Sequence, residues 1–236
     1  MAIQEFGRRQ LTREITLQTQ LNQIRGDRES YYDGPWDMYG RDISSYEWSF
    51  LEVLDGKIKD LLKNKKDPVV IDLMSPTDAI YSLFLEIPDE KKLGLAVSLE
   101  DLRTIKNKKW DAKMNIKEIA GDLLEFSTWN RIEEELNGRK ADLIMERAVD
   151  GLLCIPKNPE LYTILLNKAW KLLSKDGGIL LAEFPGIYDI QVWRMISNFR
   201  DEDDRSMMSL KDQYGSCYLQ LVKTPNSPEK LRFPID

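Results

Sequence analysis

Val69-Val70-Ile71-Asp72-Leu73 is the stretch of sequence that decides the fold. A short apolar run that is rich in β-branched residues is typical of a central strand in a parallel sheet, because such a strand is buried on both faces. Asp67-Pro68 stands directly before this run and ends the preceding helix. The run therefore predicts the central strand of a parallel sheet.

Four more apolar runs follow this strand, and helical patterns separate them in the rhythm of βαβ units. The further strands are predicted at Leu93 to Leu99, Ile116 to Leu123, Ala141 to Met145 and Gly178 to Phe184. Two last runs, Met207 to Leu210 and Cys217 to Val222, flank a polar segment and predict a closing antiparallel hairpin. Together these runs predict a mostly parallel sheet with an antiparallel edge.

Capping signals and helical spacing predict the helices around these strands. Ser44 and Glu47 form a capping-box pattern at the start of one predicted helix. The apolar residues of that helix are Leu51, Leu54, Ile58 and Leu61. Asn158-Pro159 predicts the start of the helix before the fifth strand. An earlier cap helix is predicted from Leu11, Ile15, Leu21 and Ile24.

The composition is that of one ordinary globular domain. Its 236 residues are 42% hydrophobic and 31% charged, which provides enough apolar material for a sheet-and-helix core. The formal net charge of -6 argues against nucleic-acid binding through general phosphate attraction. The two cysteines, Cys154 and Cys217, show no disulfide or metal-cage spacing, and no apolar run reaches the ~20 residues of a membrane span. We therefore expect a cytoplasmic protein.

The chain contains no histidine, and this absence limits its chemistry. Ser-His-Asp triads, Cys-His pairs and histidine-ligated metal sites all need an imidazole. Any catalysis must therefore use carboxylates, Lys, Tyr, Cys or the positioning of reactants, and we expect no metal centre.

The segment from Leu172 to Glu183 carries the most specific motif of the chain. It reads Leu-Leu-Ser-Lys-Asp-Gly-Gly-Ile-Leu-Leu-Ala-Glu and resembles the helix-turn into strand five of class I S-adenosylmethionine-dependent methyltransferases. Ala141-Asp142-Leu143-Ile144 resembles the start of strand four in that family, and Gly121-Asp122-Leu123 resembles the end of its strand three. The resemblance covers about Asp67 to Lys223.

This resemblance implies a fold and a division of the chain. The implied fold is α/β and Rossmann-like, with a seven-stranded, mostly parallel sheet, helices on both faces and a terminal antiparallel hairpin. Residues 67–236 would form this domain, and residues 1–66 would form an N-terminal helical cap packed on it.

The resemblance also implies a site for S-adenosylmethionine at the carboxyl ends of the strands. Its implied residues are Asp72, Met74, Ser75, Ser98, Leu99, Asp122, Leu123, Glu146 and Arg147. In many relatives the acid at the position of Asp122 contacts adenine, and groups at the positions of Glu146 and Arg147 lie on the acceptor side. The residues alone leave alternatives open, because Asp72 could equally fix the following turn, and Glu146 with Arg147 could form a surface ion pair.

The loop after strand one departs from the family pattern. Against Asp-Leu-Gly-x-Gly-x-Gly, Met74, Pro76 and Asp78 occupy the three glycine positions. Side chains at these positions obstruct the approach of the backbone to a ligand. The loop instead predicts a self-capped helix, with Ser75 as the N-cap, Pro76 at the first helical position and Asp78 at the positive helix end.

The end of strand two departs from the pattern as well. Ser98 stands where most relatives carry the acid that holds both ribose hydroxyls, and an alignment shifted by one residue would give that role to Glu100 or Asp101. A hydroxyl holds ribose less strongly than a carboxylate, because charge-assisted hydrogen bonds are stronger. We therefore predict weak or undetectable binding of S-adenosylmethionine, with the adenine end around Asp122 and Leu123 better preserved than the rest.

Two functions remain open at this point. The first is methyl transfer from S-adenosylmethionine to an unknown acceptor, in which the protein mainly positions the reactants. The second is a catalytically inactive binding or scaffold protein of the same fold, whose partner is a nucleoside-type small molecule or another protein. A nicotinamide dehydrogenase is disfavoured because its glycine fingerprint is also absent.

Overall fold

A computed structural model of the protein describes residues 42–73, 75–88, 91–99, 101, 103–146, 159–185, 207–213 and 216–231. The predicted cap helix before residue 26 lies outside these residues. The division of the chain into a cap and a main domain stays a prediction.

Helices and strands alternate through most of the described chain. The helices are α1 (Ile43–Ser49), α2 (Ile58–Leu62), α3 (Asp78–Leu85), α4 (Ile105–Lys113), α5 (Phe126–Leu136) and α6 (Pro159–Leu172). The strands are β1 (Val69–Leu73), β2 (Leu93–Ser98), β3 (Ile116–Ala120), β4 (Leu143–Glu146), β5 (Gly178–Pro185), β6 (Met207–Gln213) and β7 (Ser216–Lys223). The run that opened the sequence analysis thus forms β1 with the predicted bounds.

The strands join one sheet in the order β3-β2-β1-β4-β5-β7-β6. The neighbours from β3 to β5 pair in parallel, whereas β7 pairs antiparallel with both β5 and β6. The predicted α/β fold with a mostly parallel sheet and a closing antiparallel hairpin is therefore confirmed. The order reverses between β1 and β4, and ligands of open α/β sheets bind outside the carboxyl ends of the strands at such a reversal.

Helices cover both faces of the sheet because alternate residues of each strand point to opposite sides. On one face, residues such as Val70 and Met145 pack against α1, α2 and α3. On the other face, residues such as Ile71 and Ile144 pack against α5 and α6. All five residues of β1 are buried. Asp72 is the single polar residue among them, so its carboxylate needs partners inside the fold.

The predicted capping box at Ser44 is wrong. Helix α1 begins at Ile43, and its N-cap is Asp42, two residues before Ser44; Asp42 Oδ1 accepts the backbone N–H of Ser45 at 3.0 Å. The predicted single helix is in fact two, because α1 ends at Ser49. Glu47 does not reach back to the helix start; its Oε1 accepts the backbone N–H of Ile58 at 3.0 Å and holds the start of α2.

Strands β2, β3 and β4 are shorter than predicted. Strand β2 ends at Ser98, and β3 ends at Ala120, shortly before a turn in which the carbonyl of Asp122 accepts the backbone N–H of Glu125 at 2.9 Å. The backbone of Gly121 lies against Thr128, so that a Cβ at this position would meet Thr128 Oγ1 at 2.6 Å. Strand β4 begins at Leu143 and not at Ala141.

Candidate ligand site at the carboxyl edge of the sheet

Asp72 lies in β1 beside the reversal of strand order, and it is completely buried. Its Oδ1 accepts the hydroxyl proton of Tyr46 at 2.8 Å. Tyr46 belongs to α1, so this hydrogen bond ties the first described helix to the centre of the sheet. One oxygen of the Asp72 carboxylate therefore has a partner inside the fold.

Aromatic rings connect Asp72 to a second buried carboxylate, Glu183 on β5. The ring of Tyr46 stacks on Phe50 with centroids 6.5 Å apart, and Phe50 meets Tyr218 edge-on at 5.5 Å. The hydroxyl of Tyr218 donates to Glu183 Oε1 at 3.2 Å. Sequence reasoning missed Tyr46, Tyr218 and Glu183, because 26 and 35 residues separate the hydrogen-bonded pairs and no local motif links them.

Glu146 is the last residue of β4 and is 9% exposed. In the sheet it stands opposite Leu73 of β1, which follows Asp72, and opposite Ala182 of β5, which precedes Glu183. Burial is the main cause that raises the pKa of Glu146 to about 8, and the nearby charges of Glu183 and Asp72 contribute to the same shift. Glu146 is therefore mostly a neutral carboxylic acid at pH 7. Arg147, its predicted companion, lies outside the described residues.

The loop after β1 does not cap its helix in the predicted way. Helix α3 begins at Asp78, and its N-cap is Thr77, which makes no side-chain capping bond. Ser75 is buried, and its backbone N–H donates to the carbonyl of Val97 at 3.0 Å, which continues the pairing of β1 with β2. The Thr77 hydroxyl donates to Asp111 Oδ2 at 3.0 Å and is therefore not available to the helix start. The predicted N-cap at Ser75 is wrong, and Met74 lies outside the described residues.

The end of β2 has an internal partner from β3. Ser98 is buried, and its hydroxyl donates a hydrogen bond to Glu118 Oε1. Glu118 stands opposite Ala96 in the parallel pair, so its side chain is on the same face as that of Ser98. Burial raises the pKa of Glu118, although the bond from Ser98 and the charge of Arg103 act against this shift.

Arg103 lies at the centre of an ion-pair cluster beside this strand end. Its Nε is 2.9 Å from Asp101 Oδ1 and 3.3 Å from Glu118 Oε2, and its Nη1 is 3.2 Å from Asp111 Oδ2. Lys108 also pairs with Asp101 at 3.0 Å. The bond from Arg103 holds the pKa of Asp101 well below its usual range, and Asp101 in turn raises the pKa of Arg103. We call Arg103, Asp101, Asp111 and Glu118 the arginine cluster.

The end of β3 forms a tight turn around Asp122. Asp122 Oδ1 accepts the backbone N–H of Leu124 at 2.9 Å, a local bond by which an acid fixes a turn. The carbonyl of Leu123 accepts the indole N–H of Trp129 at 2.8 Å, which ties the turn to α5. Leu99, at the end of the neighbouring strand, is 42% exposed. The predicted adenine contact of Asp122 stays a prediction.

The structure thus brings only some of the predicted residues together. Asp72 and Glu146 lie on neighbouring strands at the reversal between β1 and β4, but Glu146 stands opposite Leu73, so the side chains of Asp72 and Glu146 leave opposite faces of the sheet. Ser98 belongs instead to the arginine cluster side of the sheet. Within the described residues, no group of three or more His, Cys, Asp or Glu side chains is arranged to hold a metal ion. No helix in the described part of the chain is long and apolar enough to cross a membrane.

Comparisons with known proteins support the fold that these strands define. No protein-family model and no curated protein matches the chain. The structure of the O-methyltransferase from Bacillus cereus in complex with SAH matches at 12% identity with a TM-score of 0.52, over 87% of this chain and 91% of that one.

Two other matching structures are longer proteins. PH0851 matches at 18% identity with a TM-score of 0.46, over 70% of this chain and 44% of its own. TrmN from Thermus thermophilus matches at 16% identity with a TM-score of 0.45, over 70% of this chain and 47% of its own. The chain therefore spans less than half the length of either. The likeness to the O-methyltransferase, at 12% identity, shows the fold alone, which is a methyltransferase-like Rossmann fold.

Proposed function

We propose that this chain is a methyltransferase-fold binding protein that does not use S-adenosylmethionine as its cofactor. The observation that carries the proposal is the arginine cluster at the end of β2. In the resembling family an acid at this strand end holds the ribose, whereas here Ser98 donates to Glu118 and Arg103 binds the surrounding acids. The polar groups at this end are therefore engaged with one another.

The energetic argument rests on what a ribose would have to displace. Glu118 is nearly inaccessible, with a side chain that is 1% exposed, and Arg103 is 14% exposed. Removing one partner from a buried ion pair leaves an uncompensated charge, which costs roughly 3–5 kcal/mol. A ribose hydroxyl offers about 1 kcal/mol of net hydrogen-bond energy in return. The arginine cluster therefore disfavours a ribose at this position.

The loop after β1 supports the same proposal. Ser75 continues the pairing of β1 with β2, and Thr77 binds Asp111 of the arginine cluster. These two bonds hold the loop against the end of β2, where the ribose of a cofactor would have to bind. Pro76 and Asp78 occupy two of the family's glycine positions on either side of Thr77.

Methyl transfer to an unknown acceptor is the second candidate function. The observation that favours it is the placement of Asp72 and Glu146 beside the reversal of strand order, where open α/β sheets bind ligands. In that case S-adenosylmethionine would be held mainly by the β1 and β4 side of the edge. A direct binding measurement separates the two candidates.

The test is calorimetric titration of the purified chain with S-adenosylhomocysteine. We expect no saturable binding; a dissociation constant of about 10 μM or tighter, roughly −7 kcal/mol, would overturn the proposal. Arg103→Met should strengthen any residual binding, because it opens the arginine cluster. Arg139→Met is the matched control, since Arg139 binds the carbonyl of Asp67 at the opposite edge of the sheet. Equal effects of the two substitutions would contradict the argument from the arginine cluster.

A further inference from the structure

Helix α4 lies almost entirely in solvent. Asp111 is its one buried residue, and the side chains of Arg103 and Thr77 hold it there. The two large apolar residues of the helix, Ile105 and Trp110, are 78% and 44% exposed. A helix this short is not stable by itself in water, and helices in proteins are stabilised mostly by the packing of an apolar face. Helix α4 therefore keeps its apolar side chains outside the core of the domain.

Helix α3 extends this exposed apolar surface. The rings of Trp110 and Tyr81 stack with centroids 5.8 Å apart and an angle of 18° between their planes. Leu85 follows Tyr81 by one turn of α3, so the two side chains lie on the same side of that helix, and Leu85 is 63% exposed. Contiguous exposed apolar side chains with a polar rim are typical of interaction sites.

Lysines form the polar rim of this apolar surface. Lys106, Lys109 and Lys113 share one side of α4 with Trp110, because three or four residues separate each from the next along that side. All three lysines are exposed, and none of them forms an ion pair within the described residues. Lys109 and Lys113 are four residues apart, a spacing at which like charges destabilise a helix. An acidic partner would remove this repulsion.

We propose that the outer side of α3 and α4 is a docking surface for an acidic amphipathic segment of a partner protein. We call this the α3–α4 surface, and its residues are Tyr81, Leu85, Lys106, Lys109, Trp110 and Lys113. Apolar side chains of the segment pack on Leu85 and on the stacked rings, while its carboxylates bind the lysines. The proposal does not depend on whether the carboxyl edge of the sheet binds S-adenosylmethionine.

The charges around the α3–α4 surface fit an acidic partner. Asp78 is an exposed acid one turn before Tyr81 on α3. Glu86, next to Leu85, is already paired with Lys59 at 2.6 Å. The three lysines of α4 therefore outnumber the acids that border the surface, and the surface is locally positive.

The charge of the whole chain argues against an extended polyanion as the partner. Its formal net charge of -6 repels a nucleic acid or an anionic membrane, each of which meets a large part of the protein surface. A short peptide meets mainly the local charges, because charges more than about 8 Å away are screened at physiological ionic strength. Leu85 and Ile105 also have no counterpart in a phosphate backbone, whereas they suit the apolar side of an amphipathic helix.

The probe is a fluorescein-labelled synthetic peptide of about five helical turns, with leucine along one side and glutamate along the other. Fluorescence anisotropy measures its binding to the purified chain, and we expect saturable binding. One matched peptide has glutamine in place of every glutamate, and another has serine in place of every leucine. Each replacement should weaken binding, because the α3–α4 surface offers both positive charge and apolar area.

Two double variants with the same change of charge localise the binding. Lys109→Glu with Lys113→Glu should weaken it by roughly tenfold, as expected for the reversal of two exposed ion pairs. Lys66→Glu with Lys230→Glu changes two exposed lysines outside the α3–α4 surface and should leave it unchanged. The urea midpoint of each variant verifies that it is folded. The peptide should also slow amide hydrogen exchange in α4 but not in α5.

Four results would overturn the proposal. The first is the absence of saturable peptide binding up to about 1 mM, and the second is an equal effect of the two double variants. The third is tighter binding of an oligouridylate or of phosphatidylserine vesicles than of the peptide, which would assign the surface to another class of partner. The fourth is self-association of the chain that Lys109→Glu with Lys113→Glu abolishes, which would mean that a second copy covers the surface.

Discussion

The substitution Glu146→Gln should change the pH dependence of stability in a defined direction. The native pKa of Glu146 is raised from 4.5 to about 8 by burial and by the charges of Glu183 and Asp72. At a pH between the unfolded pKa of 4.5 and the folded pKa of about 8, the folded state keeps a proton that the unfolded state has released. Stability must therefore fall as the pH rises through this window, because the folded state binds more protons. Glutamine has no such proton and removes this contribution.

The size of the effect follows from the two pKa values. A tenfold difference in proton affinity is worth about 1.4 kcal/mol. Because Glu146 ionises more readily in the unfolded state, the fold is less stable by about 3 kcal/mol at pH 7, and by about 5 kcal/mol well above pH 8, than with Glu146 protonated in both states. At pH 5 the contribution is about 1 kcal/mol by the same relation. The wild type should therefore lose roughly 2–3 kcal/mol relative to Glu146→Gln between pH 5 and pH 7.

Urea unfolding at pH 5, 7 and 8.5 measures this difference directly. The slope of the free energy against urea should stay the same in both proteins, because the surface exposed on unfolding is unchanged. Glu134→Gln is the control, since Glu134 is exposed on α5. Parallel pH profiles for the wild type and Glu146→Gln would refute the reasoning, and would mean that Glu146 is ionised at neutral pH in the folded protein.

Two further predictions concern the partners of the edge. Tyr46→Phe removes the hydroxyl that donates to the buried Asp72 and should lower the free energy of unfolding by about 1–3 kcal/mol; an unchanged urea midpoint would contradict this role. Gly121→Ala should destabilise by roughly 1–3 kcal/mol, because the new Cβ would meet Thr128 Oγ1 at 2.6 Å. Thr128→Ala should recover most of that loss in the double variant, and purely additive effects would show that the contact with Thr128 is not the cause.

The fold could be predicted because its signals are local. The run at β1 is apolar throughout except for Asp72, and burial on both sheet faces requires this composition. The start of α6 at Pro159 was predicted for a similar reason, since proline suits the first helical position. The N-cap of α1 was not predicted correctly, because Asp42 and Ser44 are both good N-cap residues and the choice between them depends on packing.

The site could be predicted only in part. The strand-end residues Asp72 and Glu146 follow from the strand pattern, since parallel strands bring their carboxyl ends to one edge. The hydrogen-bond partners of the site residues do not follow from any local sequence pattern. Tyr46 is 26 residues from Asp72, and Glu118 is 20 residues from Ser98. Because hydroxyl and carboxylate side chains are common throughout the chain, no sequence signal indicates which pairs the fold brings within hydrogen-bonding distance.

Several acids are buried near the carboxyl ends of the strands, and burying each of their carboxylates costs free energy. An ionised carboxylate in the interior is stable only with hydrogen bonds or a cation, and otherwise it takes up a proton. At the end of β2, the carboxylate of Glu118 is stabilised by a hydrogen bond from Ser98 and by the charge of Arg103. At the end of β4, Glu146 avoids the cost by staying protonated at pH 7. The two ends of the edge therefore meet the cost of burying an acid in different ways: ion pairs and a hydroxyl surround Glu118 at the end of β2, and these bonds are the physical reason for the weak ribose binding proposed above.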